Sequence, residues 1–246
     1  MAIKTQTEPR DDLPEGEEKV AAVRSMFDAI APRYDLVNRI MTFRMDVGWR
    51  RRTVRDLNLG PGSIVLDLAC GTGDFCRELQ KSRLRPIGLD LSFGMLAAAR
   101  TTAPLAQADA LRLPVPDASI DGITCGFALR NLRALDPFFV ELARAVRPGG
   151  RIALLEVAEP PNRFLRWGHG IYFGKIVPLI GGLLSDPAAY RYLPKSVAYL
   201  PEPDDMLAML RDAGFVGVER TLLSTGISQL ITATRAKPEW HDDDRP

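Results

Sequence analysis

Two glycines and a set of carboxylates form the strongest chemical pattern in this chain. The run Val65-Leu66-Asp67-Leu68-Ala69-Cys70-Gly71-Thr72-Gly73 ends an apolar segment in a G-x-G turn, and Asp90 follows 17 residues after Gly73. Glycines at 71 and 73 let backbone pass close under a ligand, where a Cβ would collide with it. An acid closing the next apolar run, with Leu91 beside it, is placed to accept from both hydroxyls of a ribose. A pattern of this kind suits any adenosine cofactor.

Three details separate the candidates. The third glycine of the dinucleotide fingerprint is missing, and Cys76 stands in its place, which disfavours a pyrophosphate on the helix N-terminus. Asp67 precedes the glycines and is expected in the loop, where it would repel a diphosphate but help to hold a cationic aminoacyl sulfonium. Ala108-Asp109-Ala110 follows a third apolar run, where an Asp can accept from an adenine amino group. Together these features favour S-adenosylmethionine over NAD. Each acid also has a plainer reading: Asp67 or Asp109 as a turn residue, Asp90 as a helix cap. Three acids on successive strand ends, next to the glycines, are hard to explain as caps alone.

The elements that must position these residues alternate in type. Residues 64–68, 86–90, 106–108, 120–126 and 151–157 read as buried strands. Helices are expected over 71–79, 95–100 and 137–146, with a tight turn at Arg147-Pro148-Gly149-Gly150. Such alternation builds a parallel sheet with helices on both faces. A helix at 204–213, stopped by Gly214, precedes two strands, 216–223 and 228–234, which read as an antiparallel hairpin closing the sheet. The predicted fold is therefore α/β, a Rossmann-like sheet that is mostly parallel. Ahead of it, residues 1–19 read as a mobile arm and 20–58 as N-terminal helices. In the second of these, Met45 to Leu57, the arginines 50, 51, 52 and 55 read as a solvated face. Residues 159–203 form an aromatic, proline-rich insertion expected to cover the ligand crevice, and 236–246 a flexible tail.

Composition narrows the function. Thirty-two Lys and Arg against 31 Asp and Glu leave a net charge of +1, so no global basic field holds nucleic acid. The three cysteines, Cys70, Cys76 and Cys125, form no C-x-x-C pair, which suits a reducing cytoplasm. With two histidines outside any cluster, no metal is expected. The apolar stretch Ile171 to Leu184 is broken by Lys175, Pro178 and a glycine pair, too short for the ~20 residues of a spanning helix. With Phe164, Trp167, Arg163, Arg166 and Lys175, the segment suits a tunnel mouth or a rest on the headgroup layer of the inner membrane face, with core packing as the competing explanation.

These residues resemble motif I of class I S-adenosylmethionine-dependent methyltransferases, and further segments narrow the resemblance. Phe27-Asp28-Ala29-Ile30-Ala31-Pro32-Arg33-Tyr34-Asp35-Leu36-Val37-Asn38, Gly126-Phe127-Ala128-Leu129-Arg130-Asn131 and Asp186-Pro187-Ala188-Ala189-Tyr190-Arg191-Tyr192-Leu193-Pro194-Lys195-Ser196 resemble signatures of the ubiquinone/menaquinone biosynthesis C-methyltransferase family. The resemblance runs from about Val20 to Phe215. It implies methylation of a ring carbon on a polyprenylated quinol, demethylmenaquinol or the ubiquinone-pathway equivalent. It carries cofactor contacts onto Thr72, Asp90, Asp109 and Ala110, and places Tyr34, Arg130 and Asn131 around the reacting ring. Where the family usually has Ser this chain has Gly126, on the cofactor side. The usual Leu-His and Gly-Tyr-Lys ending is replaced by Gln229-Leu230-Ile231-Thr232-Ala233-Thr234-Arg235, so a paralogue acting on another phenol or lipid stays open.

Carbon is a poor nucleophile, and removing a quinol hydroxyl proton raises electron density at the ortho carbon. A phenol has a pKa of about 10, so the site must stabilise the phenolate or take its proton through a base. A guanidinium stays protonated and cannot take that proton itself, which leaves Arg130 to hold the phenolate or a water. Asn131 and Tyr34 would orient the ring. Nucleic-acid amino methyltransferases commonly carry an Asn/Asp-Pro-Pro-aromatic tetrapeptide where this chain reads Gly126-Phe127-Ala128-Leu129, which argues against that class. An NAD-dependent oxidoreductase and a non-catalytic cofactor-binding module are the remaining alternatives. A second copy of the chain is a candidate partner.

Overall fold

The computed structural model describes residues 16–237 apart from 185, 187, 188, 190, 191, 193 and 194. Most of the expected arm, the tail beyond 237 and part of the 186–196 motif lie outside the described residues. The centre is one sheet of seven strands in the order β3-β2-β1-β4-β5-β7-β6. The strands are β1 (Ile64–Leu68), β2 (Arg85–Asp90), β3 (Leu105–Gln107), β4 (Ile120–Gly126), β5 (Val146–Val157), β6 (Phe215–Leu223) and β7 (Ser228–Arg235). Strands β1 to β5 pair in parallel, and β7 runs antiparallel between β5 and β6. The closing hairpin is thus as predicted, with its second strand on the inside. The residues read as a tight turn at 147–150 are an irregularity within β5: the ladder shifts between Ile120–Val146 and Gly122–Arg151.

Parallel strands covered on both faces need apolar residues on both, which is why β1 and β4 read as continuous runs. Successive side chains alternate between two cores. Leu66, Leu68, Ile123, Cys125, Ile152, Leu154, Ile231 and Ala233 pack with α6 (Leu135–Ala145) and α9 (Pro203–Asp212). On the other face Val65, Ala153, Leu155 and Leu230 meet α3 (Met45–Leu57) and α4 (Asp74–Lys81). The helix α5 (Phe93–Ala97) is capped by Ser92, whose Oγ accepts from the Met95 amide.

One longer helix and three short ones roof the carboxyl ends of the strands. α1 (Gly16–Ile30) begins four residues before the expected start, and Lys19, assigned to the arm on sequence, is buried. Its Nζ donates to the Leu132 carbonyl at 2.8 Å and lies 3.5 Å from the Tyr199 ring centroid, which satisfies a cation taken from water. Asp28 Oδ1 accepts from Ser92 Oγ at 2.5 Å and from the Gly94 amide at 2.8 Å, fixing α1 to α5. After a turn at Ala31–Arg33, α2 (Tyr34–Met41) is tied to the glycine loop by Asp35, which accepts from Thr72 Oγ1 at 2.5 Å. The insertion supplies α7 (Arg163–Ile171), capped by Asn162, then a wide turn at Tyr172–Ile176 and α8 (Val177–Leu184).

Candidate active site

The strand order reverses between β1 and β4, and an open α/β sheet binds ligands outside the carboxyl ends at such a point. A cavity of about 110 Å³ lies there, bounded by Ala69 and Gly71 after β1, Asp90 to Ser92 after β2, Ala108 to Ala110 after β3 and Gly126 to Ala128 at β4. Gly71 has φ +55°, a conformation costly for residues with a Cβ. Ala69 (φ +50°) and Phe127 (φ +59°) adopt it despite their side chains, so the backbone is strained at both strand exits that frame the cavity. Asp90 accepts from the Gly71 amide through Oδ2 and from the Ser92 amide through Oδ1, each at 2.8 Å. Burial raises its pKa. Each carboxylate oxygen keeps a lone pair beyond those amide bonds, which suits ribose hydroxyls.

Beside it is a larger cavity of about 390 Å³, mostly apolar, walled by α2, α3, the insertion and Arg130. Phe27, Tyr34 and Phe127 border both cavities and mark where their contents meet. From the insertion, Phe164, Leu165, His169, Tyr172, Phe173 and Val177 face this larger cavity. Tyr172 Oη donates to the Met41 carbonyl at 2.6 Å, pinning the insertion to α2.

Arg130 is the charged centre of the wall. It is buried, its Nη1 donates to Glu156 of β5, and its Nε donates to Ser196 Oγ at 3.1 Å. Glu156 also accepts from the Arg130 and Val157 amides, at 3.3 and 2.9 Å. A guanidinium has five N–H donors, so donors remain for an anionic oxygen in the cavity. Asn131 borders the smaller cavity, and its Oδ1 accepts from Tyr192 Oη at 3.3 Å. Tyr34 stacks edge-on to Phe27 with 5.9 Å between centroids, and burial raises its pKa against the opposing pull of Arg50.

Gly71, Asp90, Leu91, Asp109, Ala110 and Gly126 therefore converge on the smaller cavity, with Asn131 and Tyr34. Asp67, Thr72 and Gly73 border neither cavity. Asp67 lies within β1, not in the loop. It is buried and accepts from Thr124 Oγ1 at 3.0 Å and Cys76 Sγ at 3.5 Å, and burial lifts its pKa to about 7. Thr72 holds Asp35, and a Cβ on Gly73 would strike Thr101 Cγ2 at 2.7 Å, so both serve the loop's own packing.

Several residues of this wall had no role on sequence. Arg50, read as part of a solvated face, is buried between Asp46 at 2.5 Å and Asp74 at 3.5 Å, over the rings of Phe75 and Phe127. Its i,i+4 spacing from Asp46 was the available signal. Glu156 also carried a signal, as a lone charge in an apolar strand. Asp28 and Asp35 sat inside a recognised motif whose packing role only tertiary contacts reveal. Among the described residues, no group of three or more His, Cys, Asp or Glu is placed to hold a metal.

A Rossmann-like sheet closed by an inner antiparallel strand, with glycine-turn and acidic strand ends around a crevice at the topological switch point, defines a class I S-adenosylmethionine-dependent methyltransferase. The archaeal methyltransferase bound to the Trm112 activator in Haloferax volcanii shares this fold, with a TM-score of 0.62 at 17% identity, covering 86% of this chain and 98% of that one. The chain belongs to the ubiE/COQ5 methyltransferase family, whose profile matches residues 15–235. A protein named demethylmenaquinone methyltransferase from Roseiflexus castenholzii is 40% identical over 91% of this chain and 97% of its own length. The protein named ubiquinone/menaquinone biosynthesis C-methyltransferase UbiE from Syntrophotalea carbinolica is 38% identical over 87% of this chain and 94% of its own.

Proposed function

We propose that this enzyme methylates a ring carbon of a prenylated quinol, converting demethylmenaquinol to menaquinol or carrying out the equivalent ubiquinone-pathway step. The junction of the two cavities supports the reading: an acid-lined crevice meets a mostly apolar chamber whose wall holds two buried cations, Arg50, paired with Asp46 and Asp74, and Arg130, paired with Glu156. The smaller cavity fits S-adenosylmethionine, with Asp90 on the ribose, Asp109 and Ala110 toward the adenine, and Gly71, Leu91 and Gly126 along the backbone. Bound S-adenosylmethionine supplies an electrophilic methyl group. Thr72, Gly73 and Asp67 support the loop from behind.

Arg130, held by Glu156 and Ser196, directs its free donors at the quinol oxygen next to the reacting carbon. The guanidinium charge pulls the hydroxyl toward phenolate against the opposing effect of the apolar surround, its proton passing to solvent. The ortho carbon so activated would take the methyl group that bound S-adenosylmethionine supplies, leaving S-adenosylhomocysteine, and the ring proton at that carbon would pass to solvent to restore aromaticity. Tyr34 and Asn131, at the junction, orient the ring, and confinement makes the encounter effectively unimolecular. Transfer from ¹³C-methyl-labelled S-adenosylmethionine to short-tailed demethylmenaquinol tests this. The label should appear as a ring C-methyl in the product's carbon spectrum; an O-methyl signal would refute carbon attack and point to a paralogue on another phenol.

The greasy substrate also explains the chamber's mouth. Phe43 and Phe164 line the chamber yet are 72% and 85% exposed, with Trp167 and Leu179 at 72% and 65% nearby. Arg163, Arg166 and Lys175 lie on the same segment. Aromatic side chains among cations suit the headgroup layer of an anionic membrane, here the inner face of the cytoplasmic membrane. No described helix is long and apolar enough to cross it. A second copy of the chain is the competing occupant of this face, and a mass that doubles with protein concentration would favour it. The catalytic unit is read as one domain ending at residue 235.

A further inference from the structure

Among the described residues, one buried side-chain polar atom, in the chamber wall, has no hydrogen-bond partner. His169 Nε2, on α7, is buried without a hydrogen bond, whereas Arg130, Tyr172 and Asn131 are bonded to the protein. The imidazole borders the larger cavity, stacked on Phe173 with centroids 4.4 Å apart and planes at 39°. Burial lowers its pKa, against the pull of Glu159, so the ring is neutral near pH 7. A buried, unsatisfied nitrogen costs stability unless something bonds to it, and such atoms in native structures are often placed for a ligand.

The position says which part of a ligand. Methyl transfer happens where Phe27, Tyr34 and Phe127 join the two cavities, and Arg130 is next to Asn131 on that side. α7 contributes nothing to the smaller cavity, and His169 sits between Leu165 and Phe173 toward the exposed mouth at Phe164. A 1,4-quinol is a rigid ring with a hydroxyl at each end. With the hydroxyl beside the reacting carbon at Arg130, the opposite one points away from the junction, toward the insertion.

We propose that His169 Nε2 accepts a hydrogen bond from the remote hydroxyl of the quinol, making His169 a residue that selects dihydroxy over monohydroxy rings. This rests on the quinol reading above. Because a carbonyl offers no proton, the same contact favours the reduced ring over the quinone whenever Nε2 is the bare nitrogen. A site built around a substrate hydroxyl rejects the analogue that lacks it, since the buried partner is then left unpaired.

The test compares kcat/KM for short-tailed demethylmenaquinol and for the naphthol lacking only the remote hydroxyl, in wild type, His169→Phe, His169→Leu and His169→Gln. Wild type should prefer the quinol by at least about 10-fold, the size of one well-placed hydrogen bond. His169→Phe and His169→Leu should reduce that preference several-fold, and His169→Gln, which retains an acceptor, should restore part of it. A merely structural role would lower both rates and leave their ratio alone. An unchanged ratio in the folded variants would overturn the proposal, as would equal kcat/KM for the two rings in wild type, a result that needs no variant to fold. If wild type binds S-adenosylhomocysteine but methylates neither ring, the quinol reading itself falls, and this proposal with it.

Discussion

Gly126 is where this chain departs from the family's usual Ser, and its surroundings predict that restoring Ser will do harm. A Cβ at 126 would lie 2.4 Å from Phe75 Cε2 and 3.1 Å from Cδ2, whereas ordinary contact begins at 3.4 Å. The ring must therefore retreat by 3.4 − 2.4 = 1.0 Å. It has little room, being 5% exposed in the cluster that includes Trp49, Val65 and Leu79, with the Arg50 guanidinium over its face at 5.8 Å. Overpacking of this kind costs about 1–3 kcal/mol. At roughly 2–4 °C per kcal/mol for a domain of this size, Gly126→Ser should lower Tm by about 2–12 °C. The cause is one pair of residues, so the loss should shrink in a Phe75→Leu background. Thermal unfolding of the two single variants and the double variant closes the cycle, and a coupling of about 1 kcal/mol is expected. An equal Tm loss in both backgrounds would refute the argument, and so would a Gly126→Ser protein as stable as wild type.

Other perturbations follow from the same contacts. Glu156→Gln leaves the buried Arg130 without its counter-charge; loss of about 3–5 kcal/mol in denaturant unfolding is expected, since breaking a buried pair strands a charge. Methyl transfer should fall with it, and wild-type stability in that variant would remove Glu156 from the account. Asp67, with a native pKa of about 7 against an unfolded value near 3.9, keeps its proton longer when folded than when unfolded. Its contribution is full below about pH 4 and shrinks as pH rises to 7, by up to about 4 kcal/mol. Asp67→Asn should therefore flatten the stability–pH curve between those values, and an unchanged slope would contradict the assignment. Phe164→Ser combined with Trp167→Ser should weaken pelleting with anionic vesicles, and wild-type binding should fall with salt; equal partition at low and high salt would count against membrane docking.

How far the sequence led depended on where each element's partners lie. β1 and β4 were legible to the residue because strands buried on both faces are mostly apolar, and α3 because its apolar side has helical spacing. That Gly71, Asp90 and Asp109 line one cavity was also legible: they close or follow successive strands, so strand ends alone bring them together. Asp67 lies inside β1 and not in the loop after it; a strand residue facing α4 and a loop residue facing a ligand look alike in sequence. The chamber was less legible. Arg50 pairs locally with Asp46, a spacing visible in the sequence, but its second partner, Asp74, lies 24 residues away and no local pattern brings it there. α7 could not be placed as a wall by periodicity, because none of its residues is buried. The atypical last strand proved structural in part: Gln229 Oε1 accepts from Arg220 Nε at 2.5 Å, and its Nε2 donates to the Val157 carbonyl at 3.0 Å.

The central claim is carbon methylation of a reduced quinol beside Arg130. Its most direct test is transfer of a labelled methyl group from S-adenosylmethionine to short-tailed demethylmenaquinone, with and without dithionite, in wild type and Arg130→Ala. Product should form only when dithionite supplies the quinol, and should vanish in Arg130→Ala while S-adenosylhomocysteine still binds. Equal product without the reductant, or undiminished product in Arg130→Ala, would contradict the account.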